Sequence, residues 1–223
     1  EGTIQVRVEG AHSGAHALIL PYGSTLDQVI KQIQPNRLSE VENLQLYRKT
    51  VALRQKEMLN QSLDKIEEAT YSVRSATSEE ASLRIKDAEL IKQFIQKARN
   101  IQPKGQVVIG GDPSQVILEQ DDIIIIPEKT SIIMVHGEVS FPNALTWSKG
   151  LSAQDYIKQV GGYTQSSNKS KIIIIHQNGE AVLVDDSASI REGDEIMVLP
   201  KVSTKKVEVA RGISTILYQI AIA

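Results

Sequence analysis

The chain contains its own template twice. Residues 6–33 align without a gap on residues 133–160, at a separation of 127 (137 − 10), and nine of the 28 positions are identical. Val8 meets Val135, Gly10 meets Gly137, Gly23 meets Gly150, and Ile30-Lys31-Gln32 meets Ile157-Lys158-Gln159. The copies also close alike. Residues 119–127 and 192–200 each pass an acidic turn into an apolar run that stops at proline, anchored on Asp121 with Asp194 and on Pro127 with Pro200. That second separation is 73 (194 − 121), so copy one carries 54 more residues than copy two (127 − 73). Missing such a repeat misreads a fold. Here it means two small units, and not one large core shared by all 223 residues.

The shorter copy shows the unit. Residues 132–136 are an apolar, β-branched strand, and residues 143–147 a second strand after the Phe141-Pro142 turn, where proline can open a strand but not continue one centrally. Residues 152–160 read as a short helix, with Ser152 and Asp155 as a capping box. Copy one has Thr25 and Gln28 at the same places. Gly161-Gly162 stops the second helix and Pro35 the first. Residues 171–176 and 181–184 flank the Asn178-Gly179 hairpin turn, and Gly193-Asp194 leads into the last strand. Each unit therefore reads β-β-α-β-β-β, with Ala153, Tyr156, Ile157 and Val160 facing the sheet. This is two-layer α+β packing on the plan of a β-grasp fold.

The extra length in copy one has different chemistry. Residues 40–69 and 78–100 contain neither Gly nor Pro and are rich in strong helix formers. In the second stretch Ala81, Ile85, Ala88, Ile91, Ile95 and Ala98 fall on one helical face, and Thr77 with Glu80 forms a capping box at its start. The pair reads as a helical hairpin. Its first arm is weakly amphipathic, and so needs a partner surface beyond the second arm. The expected division is 1–37 plus 101–129 for the first unit, 38–100 for the insertion, 130–204 for the second unit and 205–223 for a helical tail.

Composition removes several functions. A net charge of −2 argues against nucleic-acid binding, and the lack of Cys excludes disulfides, thiolate metal sites and cysteine nucleophiles. Gly110-Gly111 reads as a hairpin turn, not a phosphate cradle. Asp121-Asp122 and Asp185-Asp186 resemble paired acids, but Asp121 aligns with the turn residue Asp194, and turn chemistry is the better account. His12 and His16 read as exposed loop residues. His136 and His176 read as strand residues with no carboxylate partner nearby in sequence. No catalytic, cofactor or metal residues are assigned.

Lys201, Lys205, Lys206 and Arg211 form a basic cluster with two readings, contact with acidic sugars or head groups and a solvated linker; the linker is the simpler. In the tail, Ile213, Ile216, Leu217 and Ile220 share a helical face. That face can pack on the second unit, join an oligomer or begin a membrane-associated segment; twelve uncharged residues are too few to span a bilayer. The absence of an initial Met and the apolar finish read as a piece of a longer chain.

The string 135–145, followed by Gly150-Leu-Ser-Ala-Gln-Asp155, Gly161-Gly162-Tyr163-Thr164 and residues 192–198, resembles a soluble-ligand-binding β-grasp (SLBB) domain. The motif positions are Gly137, Pro142, Gly150, Gly161, Gly162, Tyr163, Gly193 and Asp194, with Gly10, Gly23 and Asp121 in copy one; Val160 replaces the usual Ala, and copy one lacks the Pro and the Gly-Gly. Two such domains in tandem, with the insertion and tail, are similar to the outer-membrane polysaccharide export family, most like the periplasmic export proteins of group 2-type capsule systems. The resemblance implies a non-enzymatic part in moving capsular or exopolysaccharide, in the periplasm or outer membrane of a Gram-negative bacterium. It also implies a homo-oligomer around a passage, contact with an inner-membrane polysaccharide co-polymerase, and outer-membrane contact through the tail. The alternatives are a carbohydrate-binding or sensing module, with Trp147 and Tyr163 as stacking candidates, and a scaffold that docks the co-polymerase.

Overall fold

A computed structural model describes residues 2–71, 78–201 and 207–221. The Thr77 cap and the Lys205 and Lys206 part of the basic cluster lie outside the described residues. The first sheet contains β1 (Thr3–Gly10), β2 (Ala17–Pro21), β3 (Gln45–Tyr47), β4 (Gln106–Val107) and β5 (Ile123–Ile126), in the order β2-β1-β5-β3-β4. The second contains β6 (Ile132–Gly137), β7 (Asn143–Thr146), β8 (Ser167–Ile175), β9 (Ala181–Val184) and β10 (Glu195–Pro200), in the order β7-β6-β10-β8-β9. Replacing each strand by its counterpart turns one order into the other. In both sheets the first strand runs parallel to the last, and the other pairings are antiparallel. The chain is α+β, with two mixed five-stranded sheets.

Each sheet carries a short helix on one face: α1 (Leu26–Ile30) on the first and α4 (Ala153–Gln159) on the second. Ser152 and Asp155 form the expected capping box: the Ser152 N–H donates to Asp155 Oδ2 at 2.9 Å and the Asp155 N–H to Ser152 Oγ at 3.4 Å. In copy one the Thr25 N–H donates to Gln28 Oε1 at 3.1 Å. All four residues assigned to the buried face of α4 are buried, Ala153, Tyr156 and Ile157 completely. They meet Ile133, Val135, Ile172, Ile174, Ile196 and Val198 of the sheet. Burying a side chain the size of Ile157 contributes about 1.5–3 kcal/mol, so this contact is a main source of the unit's stability.

The repeat is also visible in two glycines. Gly10 pairs with Ile126 and Gly137 with Val198, at φ of +91° and +84°. A Cβ at either would sit 2.2 Å from the partner's carbonyl oxygen. Only glycine allows the first strand to leave its parallel neighbour so closely.

The ladder corrects the register read from the sequence. Arg7 pairs with Ile123 and Met134 with Glu195, so the closing strands correspond at 72 (195 − 123) and not 73. Asp194 is therefore the counterpart of Asp122, and Asp121 that of Gly193. Both Asp122 and Asp194 are 1% exposed, while Asp121 and Gly193 both have positive φ, +66° and +79°. Two adjacent aspartates look alike as letters, and matching the prolines pulled the alignment one residue out of phase.

The insertion also begins later than expected. Residues 41–43 form a 3-10 turn and β3 belongs to the first sheet, so α2 starts at Lys49 (Lys49–Tyr71) and is followed by α3 (Ser78–Arg99). Helix-forming composition does not distinguish these residues from the arm that follows; pairing of Leu46 with Ile124 makes them a strand. The hairpin thus occupies the β3–β4 connection, where the second unit has its Gln177–Glu180 turn. Gly110-Gly111 is not a hairpin turn: the chain from β4 passes through a 3-10 turn at Pro113–Gln115, and β4 and β5 are not neighbours.

The described part of the tail is α5 (Val207–Ala221). Val209, Ile213 and Ile216 are buried against Leu59, Leu63 and Ile66 of α2 and Ile95 and Ala98 of α3. A second face places Leu217, Tyr218 and Ala221 on Ile173, Ala181 and Leu199, the side of the second sheet opposite α4. The partner that α2 needs is therefore the chain's own tail, and the shared apolar face is occupied within the molecule. Gly212 allows this approach: a Cβ there would lie 2.7 Å from Ile66 Cγ1. Ile85, on that same helical face of α3, is 70% exposed; the described α3 residues of this cluster are Ile91, Phe94, Ile95 and Ala98.

Candidate functional site

The motif glycines are joints of the backbone and do not converge on a pocket. Gly23 and Gly150 occupy equivalent turns, Gly161 and Gly162 end α4, and Gly193 precedes β10. Pro142 stands just before β7. The two stacking candidates have their polar atoms engaged internally. Trp147 Nε1–H donates to the Ile190 carbonyl at 2.7 Å, and the Tyr163 hydroxyl donates to Asp186 Oδ2 at 2.7 Å. Burial, reinforced by Asp186, pushes the Tyr163 hydroxyl well above its usual range.

The two equivalent buried carboxylates each meet a cationic or titratable partner at the same place. In the first unit Asp122 takes a bidentate contact from Arg48, Nε at 3.0 Å and Nη2 at 2.8 Å, plus the Glu119 N–H at 2.8 Å. In the second, Asp194 meets His176 Nδ1 at 2.6 Å and the Arg191 N–H at 2.7 Å. Arg48 follows β3 as His176 follows β8. These are ties between strand and turn.

The histidines differ from expectation. His12 is buried and packs edge-on to His16, with ring centroids 4.8 Å apart. Its Nε2–H donates to the Val8 carbonyl at 2.9 Å, and its Nδ1 accepts from the Gly14 N–H at 3.2 Å. His136 and His176 both have carboxylate partners, Glu195 at 2.5 Å and Asp194 at 2.6 Å. In each case the partner comes from β10 or the turn before it, far away in sequence but adjacent in the sheet. Among the described residues no group of three or more His, Asp or Glu could hold a metal ion.

The feature that stands apart is a groove of about 1120 Å3 between the start of β8, Lys201 and α5. Sequence reasoning found two of its cations, Lys201 and Arg211; folding adds Lys169 and Lys171. All four are exposed, and among the described residues no carboxylate lines the groove and none of the four makes an ion pair. A ladder irregularity builds one wall. Ile172 pairs with Val198 and Ser167 with Pro200, so residues 168–171 stand opposite Leu199 alone. Such bulges bend a strand and re-aim its side chains. The bulge is closed by Asn168 Oδ1, which accepts from the Ser170 N–H at 3.1 Å and the Ser170 hydroxyl at 2.7 Å. The opposite wall presents Arg211, Ser214, Thr215 and Tyr218, one stripe of α5. The Ser214 and Thr215 hydroxyls donate to the helix carbonyls of Ala210 and Arg211, which leaves their oxygens free to accept.

The fold and groove together define a tandem-repeat α+β protein whose most distinctive surface is a basic groove. No family model matches the chain. Two curated relatives, each named "Polysialic acid transport protein KpsD" from Escherichia coli, are 58% and 57% identical to it over 222 residues. The match takes in 99% of this chain and 40% of each relative, so the chain spans well under half of their length. The chain is a homologue of that segment of these polysialic acid transport proteins. Among the described residues no helix is long and apolar enough to cross a membrane.

Proposed function

We propose that this chain is a non-enzymatic segment of a capsular or exopolysaccharide export protein. The observation that carries the reading is 57–58% identity across nearly the whole chain to proteins named for polysialic acid transport. Identity at that level goes with a shared fold.

The two units are tandem β-grasp domains of the soluble-ligand-binding type. Support comes from the identical strand orders, the single helix on one face of each sheet and the paired glycines at 10 and 137. They act in the periplasm or at the outer membrane, as part of an oligomeric passage that contacts an inner-membrane co-polymerase. Transport of a polymer needs rigid units and a polar surface. The polar joint between the units suits that demand: Gln106 Nε2–H donates to the Asn178 carbonyl at 2.9 Å, Gln177 Nε2–H to the Glu128 carbonyl at 2.6 Å, and Gln45 bonds the Gln177 carbonyl.

The test is a chimera. The matching segment of the Escherichia coli relative is replaced by these 223 residues in cells lacking the native protein, and surface polysialic acid is measured. Restored surface polymer is expected. A chimera that accumulates at normal levels but leaves the polymer inside the cell would overturn the reading.

A further inference from the structure

We infer that the groove between the bulged start of β8 and α5 binds a carboxylated polysaccharide chain directly. The polymer's source rests on the export reading above; the chemistry of the groove does not. Four cations from three separate elements converge there on a chain whose net charge is −2, with no acid among the described lining residues to neutralise the field. A surface that only needed solubility would mix charge signs. Like charges held together repel, and a site built this way is relieved by an anion.

The uncharged lining narrows the class of anion. Ser167, Ser170, Ser214 and Thr215 already donate their hydroxyl hydrogens inside the protein, to Thr164 O, Asn168 Oδ1, Ala210 O and Arg211 O. What they offer a ligand is acceptor capacity. A ligand that suits both sets of groups carries carboxylates for the cations and hydroxyl donors for the oxygens, and an acidic sugar polymer has both in each repeat. Sulfate or chloride has no donors to offer. A membrane surface fits poorly as well. Stable interfacial binding needs a face of several apolar residues that enter the acyl region, whereas among the described lining residues Leu183 is the one exposed aliphatic side chain of that size, Leu199 is buried, and Tyr218 gives its hydroxyl hydrogen to the Ala181 carbonyl at 2.9 Å. At about 1120 Å3 the recess exceeds the roughly 300–1,000 Å3 usual for a small-molecule pocket.

The experiment measures binding of purified polysialic acid to the intact 223-residue chain at low ionic strength, where exposed charges are least screened. Neutral dextran and vesicles of phosphatidylglycerol are parallel probes. The test variant combines Lys169→Gln, Lys171→Gln and Arg211→Gln. The control combines Lys86→Gln and Lys92→Gln, exposed on α3 and away from the groove. Circular dichroism and Trp147 fluorescence check that both stay folded. The expected result is binding of polysialic acid but not dextran, weakened roughly tenfold or more in the groove variant, unchanged in the control and falling with added salt. No binding by the parent, or equal binding by parent and groove variant, overturns the assignment. Vesicle binding lost in the groove variant without a matching loss of polymer binding does the same, and assigns the surface to lipid. The two readings fail separately. A chimera that restores export while the groove variant still binds polymer removes only the groove; a chimera that fails removes the export reading whatever the groove binds.

Discussion

Arg48→Met is the substitution whose cost the structure fixes best. The Asp122 side chain is fully buried and Arg48 is 15% exposed. The guanidinium gives two hydrogen bonds to the carboxylate and a third, from Nη2 at 2.8 Å, to the Ile117 carbonyl. Methionine keeps the apolar stem and removes all three. The Asp122 carboxylate is then left with the Glu119 N–H as its one remaining partner among the described contacts. Breaking one side of a buried ion pair costs about 3–5 kcal/mol, because an uncompensated charge stays in the interior. A domain's whole stability is roughly 5–15 kcal/mol, so the first unit loses a large share. Urea unfolding followed by far-UV circular dichroism should show a midpoint lower by about 1 M or more, given a slope of roughly 1–3 kcal/mol per molar. Trp147 is the single tryptophan and sits in the second unit, so its fluorescence reports in the same titration whether the two units unfold together. The double variant Arg48→Met with Asp122→Asn removes the stranded charge but keeps an acceptor for the Glu119 N–H, and should recover at least half of the loss. A single variant within 0.5 kcal/mol of the parent, or a double variant no better than the single, would refute the reasoning. The exposed pair Arg54–Glu57, by contrast, is worth at most about 0.5 kcal/mol.

Two further predictions concern the unit joint and acid stability. Gly179 has φ +85°, and a Cβ there would fall 1.4 Å from Gln106 Nε2. Gly179→Ala should therefore cost about 1–2 kcal/mol for the left-handed conformation and displace the Gln106 bridge as well, lowering the thermal midpoint; an unchanged midpoint counts against a packed joint. Glu195 is held below the usual carboxylate range, chiefly by its contact with His136. Its folded pKa is depressed, so its contribution is present above the unfolded value and is lost as pH falls through the folded one. Thermal midpoints measured from neutral to acid pH should fall less steeply for Glu195→Gln than for the parent; parallel curves would dismiss the pairing.

The equivalence of Arg48 and His176 shows how the copies have diverged within one plan. Both units keep a buried carboxylate that accepts a backbone N–H three residues back, from Glu119 or Arg191, and so closes the turn before the last strand. The partner across the sheet differs. Arg48 pins its carboxylate with a planar two-pronged contact, whereas His176 supplies one nitrogen. The first unit must anchor a long helical hairpin immediately after that position, and the second only a tight turn.

The repeat, the strand-turn-helix order, the capped α4 and the stop at Gly161-Gly162 could all be read from the letters. These features depend on backbone geometry over a few neighbouring residues, and Gly, Pro, Ser and Asp declare that geometry directly. Helix-rich composition, by contrast, could not separate residues 40–48 from the helix that follows, because Leu46 is a strand residue only through its pairing with Ile124. Nor could it choose between Asp121 and Asp122, which differ by one step of a ladder the sequence does not display. The apolar face of the tail was legible, but its destination was not: burial of Val209, Ile213 and Ile216 depends on where α2 and α3 stand in space. The groove belongs wholly to the tertiary structure. Lys169 and Arg211 are 42 residues apart (211 − 169) and line one groove only because α5 lies across the open face of the second sheet beside a bulge in β8. Charge is written in the sequence, but the field it makes depends on distance, and distance is set when the chain folds.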